Sequence, residues 1–373
     1  MSNTTLILLG AGNSTRFAAH VKKQWLVTGE LPLWLYVAEQ FEKSASFDEI
    51  IIVSSQIEIN YMKNFADYTY VIGGDSRQAS LSHALQHVTS DYVLVSDIAR
   101  CCIPSDMIRR IMDAKCEASC IVPVLPVTDT LYLKGKPIDR EQSKIIQTPQ
   151  LSVTKLLKEA LKTESLFTDE SSAIASLGEK VLFVEGSTKA HKLTTKEDLT
   201  RLPCLERASI KTFTGFGIDI HPFEKNKVMS LAGVTIECDY GFKAHSDGDV
   251  AIHALIDALL GAAGMGDIGE LYPDTDKSYA NIDSKLLLQD TVKRIISFGY
   301  TITNTDLTIM AETPKIAPYK EQMRSTLSSL LGIRKNFVNI KATTAEKLGF
   351  VGRKEGVTVH CVATLNYTNW KTL

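Results

Sequence analysis

The chain has 373 residues, and at roughly 150 residues per domain this length suggests two or three domains. Apolar residues make up 44% and charged residues 23%, which excludes a disordered or low-complexity chain. The 41 Lys and Arg nearly balance the 43 Asp and Glu, and the net charge of −2 does not predict a nucleic-acid or anionic-membrane surface. We therefore expect no nucleic-acid or membrane partner, and expect any phosphate to be bound by locally placed cations.

The N-terminal segment does not have the pattern of a targeting sequence. Its apolar stretch covers only residues 6–9, far short of the roughly 18 residues of a membrane span, and glycines follow at once. The seven cysteines include no C-x-x-C pair. We therefore expect a cytoplasmic protein whose cysteines are all free thiols without a function.

The first 200 residues alternate short apolar runs with amphipathic stretches. Apolar strands separated by helices are typical of a parallel sheet covered on both faces, which predicts a doubly wound, Rossmann-like α/β domain. Its ligand should lie beyond the carboxyl ends of the strands. The predicted strands are residues 5–9, 49–54, 70–72, 92–96, 119–124 and 181–185, and predicted helices include 34–43, 77–88 and 105–116.

The alternation ends around residues 202–209, where neither periodicity is visible. No repeat relates the two halves, so we predict two unrelated domains, 1–208 and 209–373. The second contains predicted strands at 211–220, 307–312, 338–342 and 357–365 and predicted helices at 249–263, 284–298 and 319–331.

A glycine-rich turn follows the first predicted strand. Gly10, Ala11 and Gly12 would let successive backbone N–H groups approach phosphate oxygens. The turn matches neither G-x-G-x-x-G nor a Walker loop, and a purely structural role is an equal alternative. Arg16 and Lys23 shift the balance, because they place cations beside this candidate phosphate site.

Two further strand ends carry polar groups. The Gly73–Gly74 turn opens a helix and suits an anion, while Asp97 ends an apolar strand where a Mg²⁺–nucleotide complex can be held. For Asp97 a helix cap or turn residue is the structural alternative.

These pieces occur in the order seen in methylerythritol phosphate cytidylyltransferases. The resemblance covers about residues 4–200 and is carried by LGAGNSTR, KKQ, GGDSR, SDIAR, PVTDT, QTPQ, TDE and EGS. It implies that methylerythritol phosphate attacks the α-phosphorus of CTP and releases pyrophosphate. It also implies that Arg16 and Lys23 stabilise the triphosphate, that Arg140 and Lys192 hold the attacking phosphate, and that the nucleotide and Mg²⁺ are bound by Gly10, Ala11, Gly12, Gly74, Ser80 and Asp97.

The sequence departs from this family at three places. Gly10 stands where many members have Ala, Ile98 interrupts the common Asp-Ala-Ala-Arg, and Cys101 replaces a Pro. We expect the first two changes to tune the fit of the nucleotide without abolishing the chemistry.

The second domain contains a candidate metal site. Asp219 and His221 alternate along a predicted strand and so share a face, and His253 lies on a predicted helix with Asp249 and Asp257 one turn to either side. Two histidines and one carboxylate can hold a catalytic Zn²⁺ or another divalent ion, and a helix carboxylate would orient His253. Unrelated polar residues on a strand and a helix are the alternative.

Residues 214–365 closely resemble methylerythritol cyclodiphosphate synthase, through GFGIDIH, AHSDGDVAIHA, GDIG and KLGFVGR. The resemblance implies an α+β domain, a homotrimer with sites between subunits, and Zn²⁺ or Mn²⁺ on Asp219, His221 and His253. The 2-phosphate of a cytidine diphosphate methylerythritol phosphate would attack its β-phosphorus and release CMP.

The same resemblance implies roles for further residues. His245 and Thr344 would stabilise the transition state. The remaining substrate-binding candidates are Asp219, His221, Ser246, Asp267, Ile268, Gly269, Tyr272, Asp274, Asp276, Ala311, Pro314, Lys315, Ala317, Thr343, Glu346, Phe350 and Arg353.

Three interpretations are compared. The first is a bifunctional enzyme that carries out both reactions on CTP, methylerythritol phosphate and the cytidine diphosphate ester, as a homo-oligomer in multiples of three. The second is a sugar-phosphate nucleotidyltransferase whose C-terminal domain only drives oligomerisation. The third is a degenerate nucleotide-binding scaffold. The intact triad and the retained Arg16, Lys23 and Asp97 favour the first.

Overall fold

A computed structural model describes residues 3–163, 165–244, 246–273, 275–279 and 282–372. The chain forms two compact units that separate between Ala208 and Ser209, and the chain returns to the first unit at Trp370. The Trp370 indole N–H donates to the carbonyl of Val27 at 2.9 Å. The predicted second segment, 209–373, therefore includes a short C-terminal piece that packs with the first unit.

The first unit alternates strands and helices. Its strands are β1 Thr4–Leu9, β2 Val27–Thr28, β3 Leu31–Pro32, β4 Glu49–Ser54, β5 Thr69–Ile72, β6 Tyr92–Asp97, β7 Cys120–Pro126, β8 Leu131–Leu133, β9 Lys136–Ile138, β10 Lys144–Ile146, β11 Gln150–Val153 and β12 Val181–Glu185. Its helices are α1 Leu33–Ser44, α2 Gln56–Met62, α3 Arg77–Leu85, α4 Ser105–Asp113, α5 Thr154–Ala160 and α6 Glu170–Ser176.

The main sheet of this unit has the order β10-β7-β11-β6-β1-β4-β5, with β12 beside β7. Strands β5, β4, β1 and β6 are parallel, as predicted. The prediction of a parallel sheet does not hold for the whole sheet, however. β11 runs antiparallel between β6 and β7, and β10 pairs antiparallel with β7. β1 is buried along its whole length, which explains its continuous apolar sequence.

The second unit combines a sheet with long helices. Its strands are β13 Thr212–Lys225, β14 Met229–Leu231, β15 Val234–Ile236, β16 Tyr240–Phe242, β17 Tyr300–Met310, β18 Val338–Thr343 and β19 Gly356–Tyr367. Its helices are α7 Val250–Ala263, α8 Ile268–Leu271, α9 Ser284–Ser297, α10 Lys320–Leu331 and α11 Gly349–Gly352.

The sheet order β16-β13-β19-β17-β18 leaves one face against the apolar helix α7. Gly215 and Gly217 make this close packing possible, since a Cβ at either position would lie 2.0–2.1 Å from an α7 carbonyl oxygen. The alternate residues of β13 point to the opposite face, where Phe216, Ile218 and Ile220 are about half exposed.

Two further features bear on the sequence predictions. Within the described residues, no helix has the length and apolar character required to cross a membrane. Cys102 and Cys204 form a disulfide, so the expectation of seven free thiols is wrong for this pair. The partners are 102 positions apart, and only the fold brings them together.

Candidate active sites

The first site is a cavity of about 500 Å³ at the carboxyl ends of β1 and β6. The predicted glycine turn forms one wall, and the Gly10 N–H donates to the carbonyl of Val53 at 2.8 Å. The Gly73–Gly74 turn forms another wall, where the Gly74 N–H donates to Ser80 Oγ at 3.1 Å. The structure thus brings together a large part of the predicted nucleotide site: Gly10, Ala11, Gly12, Arg16, Lys23, Gly74, Ser80, Asp97 and Lys192.

Lys23 lies in a 3₁₀ turn, Lys23–Trp25, that borders the cavity. Its Nζ donates to the carbonyl of Leu193 at 3.2 Å. Burial lowers the pKa of Lys23, and the nearby charges of Lys192 and Arg16 lower it further. The cavity therefore concentrates positive charge that a bound polyanion would relieve.

A buried carboxylate holds this turn in place. Glu58 is 1% exposed and accepts hydrogen bonds from Gln24 Nε2 at 2.8 Å and Trp25 Nε1 at 2.9 Å. Its other oxygen accepts from the hydroxyls of Ser54 and Ser55. Glu58 thereby connects the Lys23 turn to the end of β4.

Asp97 is shared between two cations. Lys192 Nζ donates to its Oδ2 at 2.7 Å, and Arg77 Nε donates to its Oδ1 at 3.2 Å. Burial would raise the pKa of Asp97, but the charges of Arg77 and Lys192 outweigh burial and hold that pKa below its ordinary value. Arg77 is itself held by both oxygens of the fully buried Glu170, at 2.7 and 3.4 Å.

Arg140 is not among the described residues that line this cavity. It follows the β8–β9 hairpin, is about half exposed, and donates to the carbonyl of Thr128 at 2.9 Å. Its predicted role in holding the attacking phosphate remains a prediction.

The second site is a cavity of about 400 Å³ in the second unit. The ligand atoms of Asp219, His221 and His253 lie within 4.8 Å of one another. Asp219 Oδ2 is 3.1 Å from His253 Nδ1 and 3.4 Å from His221 Nδ1. Burial would raise the pKa of Asp219, but the two histidines outweigh burial and lower it.

This donor set fits a divalent metal. It offers two imidazole nitrogens and one carboxylate on one cavity wall, the ligand combination of catalytic Zn²⁺ sites. The predicted carboxylate partner of His253 is wrong, because Asp249 caps α7 through the Ile252 N–H and Asp257 accepts from the Ile268 N–H. His253 Nε2 instead lies 3.0 Å from the buried Ser284 hydroxyl.

The same cavity wall contains several predicted substrate-binding residues. Asp267 caps α8 by accepting from the Glu270 N–H at 2.9 Å, which fixes the start of that helix. The cavity is lined by Ser246, Ile268, Gly269, Tyr272 and Asp276 among others. Two predicted residues, His245 and Asp274, lie outside the described part of the chain.

A second group of predicted residues lies elsewhere in this unit. Ala311, Pro314, Lys315 and Ala317 follow β17, and Thr343, Thr344 and Glu346 end or follow the neighbouring β18. The Ala311 N–H donates to the Thr343 carbonyl at 3.0 Å, and the Thr344 hydroxyl donates to Glu346 at 2.7 Å. Phe350 and Arg353 precede β19, where Arg353 pairs with Glu355 at 2.9 Å. We call the segments 311–317 and 343–346 the edge group.

The edge group is at the same end of the sheet as the metal triad but is separated from it. Asp219, Val359, Ile309 and Ala342 lie in one row across β13, β19, β17 and β18. The start of the segment 311–317, after β17, is two strand spacings or about 10 Å from β13, and the segment 343–346, after β18, is three spacings or about 14 Å away. No residue of the edge group is among the described residues that line the second cavity.

Sequence reasoning missed the residues that hold the site residues in place. Arg77 and Glu170 stand inside motifs that carry the family resemblance, but nothing in the sequence connects them over 93 positions. Glu58 stands in a helix-start pattern with Ser55, but that pattern does not reveal its contacts with Gln24 and Trp25. Ser284 had no signal, because its contact with His253 joins segments 31 positions apart.

Known proteins match both units. Residues 4–205 match the 2-C-methyl-D-erythritol 4-phosphate cytidylyltransferase family, and residues 212–366 match the YgbB family. A bifunctional enzyme IspD/IspF of Sulfurovum sp. (strain NBC37-1) is 70% identical over 371 residues, and the match covers 100% of both chains. One from Aliarcobacter butzleri (strain RM4018) is 54% identical over 372 residues, again with 100% of both chains covered.

A solved structure matches the whole chain as well. The bifunctional IspDF of Campylobacter jejuni superposes with a TM-score of 0.92 at 46% identity, covering 99% of both chains. Fold, cavities and similarity together define an enzyme with a nucleotidyltransferase unit and a divalent-metal-dependent second unit.

The chain belongs to the family of bifunctional IspD/IspF enzymes. It combines cytidylyltransferase and cyclodiphosphate synthase activities of the methylerythritol phosphate pathway to isoprenoids. These are the two activities of the first interpretation, whose assembly in multiples of three remains a prediction. Membership in this family removes the interpretations of the second domain as an oligomerisation module and of the chain as a scaffold.

Proposed function

We propose that the first cavity binds CTP with Mg²⁺ and transfers CMP to methylerythritol phosphate, and that the second closes the cyclic diphosphate. The observation that supports the first assignment is the meeting of Arg16, Lys23 and Lys192 with Asp97 in one cavity. A triphosphate needs cations on its phosphates, and its metal needs a carboxylate oxygen. The two activities then belong to residues 1–208 and 209–373.

In the first reaction an oxygen of the methylerythritol phosphate attacks the α-phosphorus of CTP. The bond from that phosphorus to the bridging oxygen breaks, and pyrophosphate leaves. Lys23 and Arg16 stabilise the charge that builds on the leaving group, because phosphoryl-type transfer requires alignment and cations more than covalent chemistry. Arg140 would contribute a further cation to the attacking phosphate.

Lys192 changes partner in this scheme. In the structure it is paired with Asp97 at 2.7 Å. Asp97 would hold Mg²⁺ through its carboxylate, and Lys192 would then be available to the incoming phosphate. Arg77 stays on Asp97 and Glu170 and keeps the carboxylate oriented.

The test mixes the protein with CTP, Mg²⁺ and methylerythritol phosphate and measures pyrophosphate release. We expect release that requires all three, and a strong loss for Lys192→Ala. The exposed Lys189 three positions away provides the matched control, since Lys189→Ala should leave the rate unchanged. Release without methylerythritol phosphate, or equal effects of the two substitutions, would contradict the assignment.

In the second reaction the 2-phosphate of the cytidine diphosphate ester attacks its own β-phosphorus, and CMP leaves. Asp219, His221 and His253 would hold Zn²⁺ or Mn²⁺, which acts as a Lewis acid on the phosphate oxygens. The cavity would hold the flexible ester in the folded conformation that ring closure requires. The resemblance implies that Asp267, Ile268 and Gly269 hold the ribose of this ester, and Ile268 and Gly269 line the cavity.

We further propose a homo-oligomer in multiples of three. The separation of about 10–14 Å between the metal triad and the edge group supports it, because a second copy can bring its edge group to the triad. The exposed apolar face of β13, with Phe216, Ile218 and Ile220, supports a buried contact between copies. In this assembly Thr344, Glu346 and Arg353 act on a substrate bound at the neighbouring metal.

We propose a cytoplasmic location, which its highly charged substrates support. Nucleoside triphosphates and sugar phosphates do not cross a bilayer unaided, since transfer of a charged group into hydrocarbon is very costly.

A further inference from the structure

Three cysteines of the first unit meet although the sequence separates them. The sulfur atoms of Cys101, Cys102 and Cys204 lie within 4.8 Å of one another, and Cys102 is bonded to Cys204. The Cα atoms of the bonded pair are 5.5 Å apart, within the usual range for a disulfide. The backbone is therefore already placed for this bond.

A metal is a poor occupant of this cluster. Metals bind thiolates, and burial raises the pKa of Cys101 to about 12, which keeps that group protonated. The cluster also offers three ligands where a closed structural zinc site has four. Cys102 and Cys204 are thus better suited to bond with each other, with Cys101 as a buried neighbour.

The bond connects the nucleotide cavity to the end of the first unit. Cys102 lies in the segment 98–104 that directly follows Asp97, and Ile98 and Ala99 of this segment line the cavity. Elsewhere the segment is held by Arg100, which donates to the Thr148 hydroxyl and to the Ala190 carbonyl. Cys204 anchors it to the last residues before the break at Ala208.

We propose that Cys102 and Cys204 form a reversible dithiol–disulfide site that restrains the segment 98–104 beside the nucleotide cavity. Low-molecular-weight thiols are the reaction partners. One thiolate attacks the Cys204 sulfur, and the Cys102 sulfur leaves and takes up a proton. A second thiol then attacks the mixed disulfide, which releases the Cys204 thiol and one low-molecular-weight disulfide. Two thiols are oxidised, and the protein disulfide is reduced by two electrons.

The exposure of the pair determines which sulfur reacts. Cys204 is partly exposed, whereas Cys102 is 8% exposed. Attack therefore begins at Cys204. In a thiol-rich cytoplasm such a bond is transient, so the site responds to the thiol–disulfide balance around it.

The first test counts thiols in the full-length protein. After incubation with oxidised glutathione and removal of the reagent, alkylation under denaturing conditions should find five free thiols once any glutathione bound to the exposed Cys116 is measured by intact mass and added back, and after reduction seven. Cys204→Ser should show six in both states, while the exposed control Cys116→Ser should show four and six. Seven free thiols in the glutathione-treated wild type, or a bond mapped by mass spectrometry to Cys101, would overturn the proposal.

The second test asks whether the bond restrains the structure. Reduction should lower the unfolding temperature of the first unit by about 5–10 °C in wild type and in Cys116→Ser, but not in Cys204→Ser. Reduction should also raise the KM for CTP while the cyclase rate stays constant. Identical unfolding temperatures and KM values in both redox states would contradict the restraint. Only the KM result depends on the proposed CTP site. If that assignment is wrong, the thiol count and the unfolding temperature still test the disulfide.

Discussion

Gly10 and Ile98 meet at the wall of the nucleotide cavity. A Cβ at position 10 would lie 2.4 Å from Ile98 Cδ1. Many members of the resembled family carry Ala both at position 10 and at position 98. In this chain a smaller residue at position 10 compensates for the larger one at position 98. Gly10 therefore leaves the space that the Ile98 side chain occupies.

This coupling predicts a non-additive pair of substitutions. Gly10→Ala alone should lower the unfolding temperature of the first unit by about 3–6 °C, because it overpacks a buried contact. In an Ile98→Ala background the same change should cost clearly less, since the clashing methyl is gone and the Val53 carbonyl oxygen, 3.3 Å away, is the close neighbour that remains. Calorimetry of the four chains measures this. Gly12→Ala is the control, because a Cβ there would meet no atom of the described residues within 4 Å beyond its chain neighbours. Equal losses in both backgrounds would refute the coupling.

Lys23 is the most informative single cation of the first cavity. Lys23→Ala should slow cytidylyl transfer by about 10²–10³-fold or more, because it removes a fixed charge where negative charge develops. Cyclase activity on its own substrate, measured on the same preparation, should be unchanged. A parallel loss of both activities would mean that the two units do not function independently.

At the level of elements, the turn that carries Lys23 depends on one buried carboxylate. Glu58→Ala removes the acceptor of four hydrogen bonds and should destabilise the first unit by about 3–5 kcal/mol, with a matching loss of cytidylyl transfer. Glu58→Gln is the matched variant. Its amide oxygen can accept from Gln24 and Trp25, and its NH₂ can donate to the serine hydroxyls.

The comparison separates positioning from general stability. We expect Glu58→Gln to retain most of the kcat for cytidylyl transfer and to lose only the weak ion pair with Lys22 at 3.4 Å. Steady-state kinetics of both variants below their unfolding temperatures provide the measurement. A wild-type kcat in folded Glu58→Ala would show that Glu58 does not position Lys23.

The metal triad joins strand β13 to helix α7. His253→Ala should abolish stoichiometric metal binding and cyclase activity together, because two remaining ligands do not hold a catalytic metal in a defined geometry. Pyrophosphate release from CTP should persist. Elemental analysis provides the readout, with Asp257→Asn on the same helix as control. Full metal occupancy in His253→Ala would refute the role of this histidine.

The elements also show what the sequence could predict. β1, β4 and β6 were predictable because their apolar runs match burial on both faces, and Asp219 and His221 because alternation places them together. β11 was not, because it buries polar residues. Gln150 is fully buried and is satisfied by Asp169 and by the Ser171 N–H, contacts that local sequence does not reveal. The Cys102–Cys204 bond and the Ser284 contact with His253 likewise depend on tertiary structure alone.

In the whole molecule, the separation of the metal triad from the edge group predicts that two copies share each cyclase site. In this assembly one copy supplies the metal triad and its neighbour supplies the segment 311–317. A chain with a mutated triad then still has an intact segment, and a chain with a mutated segment still has an intact triad. We choose His253→Ala for the first. For the second we choose Ala311→Phe, which places a bulky ring in the segment 311–317, the cytosine pocket that the resemblance implies. Each variant alone should be inactive as a cyclase.

The two chains should complement each other when they are assembled together. Co-expression with different tags and two successive affinity steps isolates oligomers that contain both. In a cyclic trimer of two chain types, one of the three interfaces pairs an intact triad with an intact pocket in the required direction, so we expect about a third of the wild-type cyclase activity. Light scattering of the same sample establishes the subunit number. Inactive mixed oligomers, or a fully active monomer, would show that each chain builds its cyclase site alone.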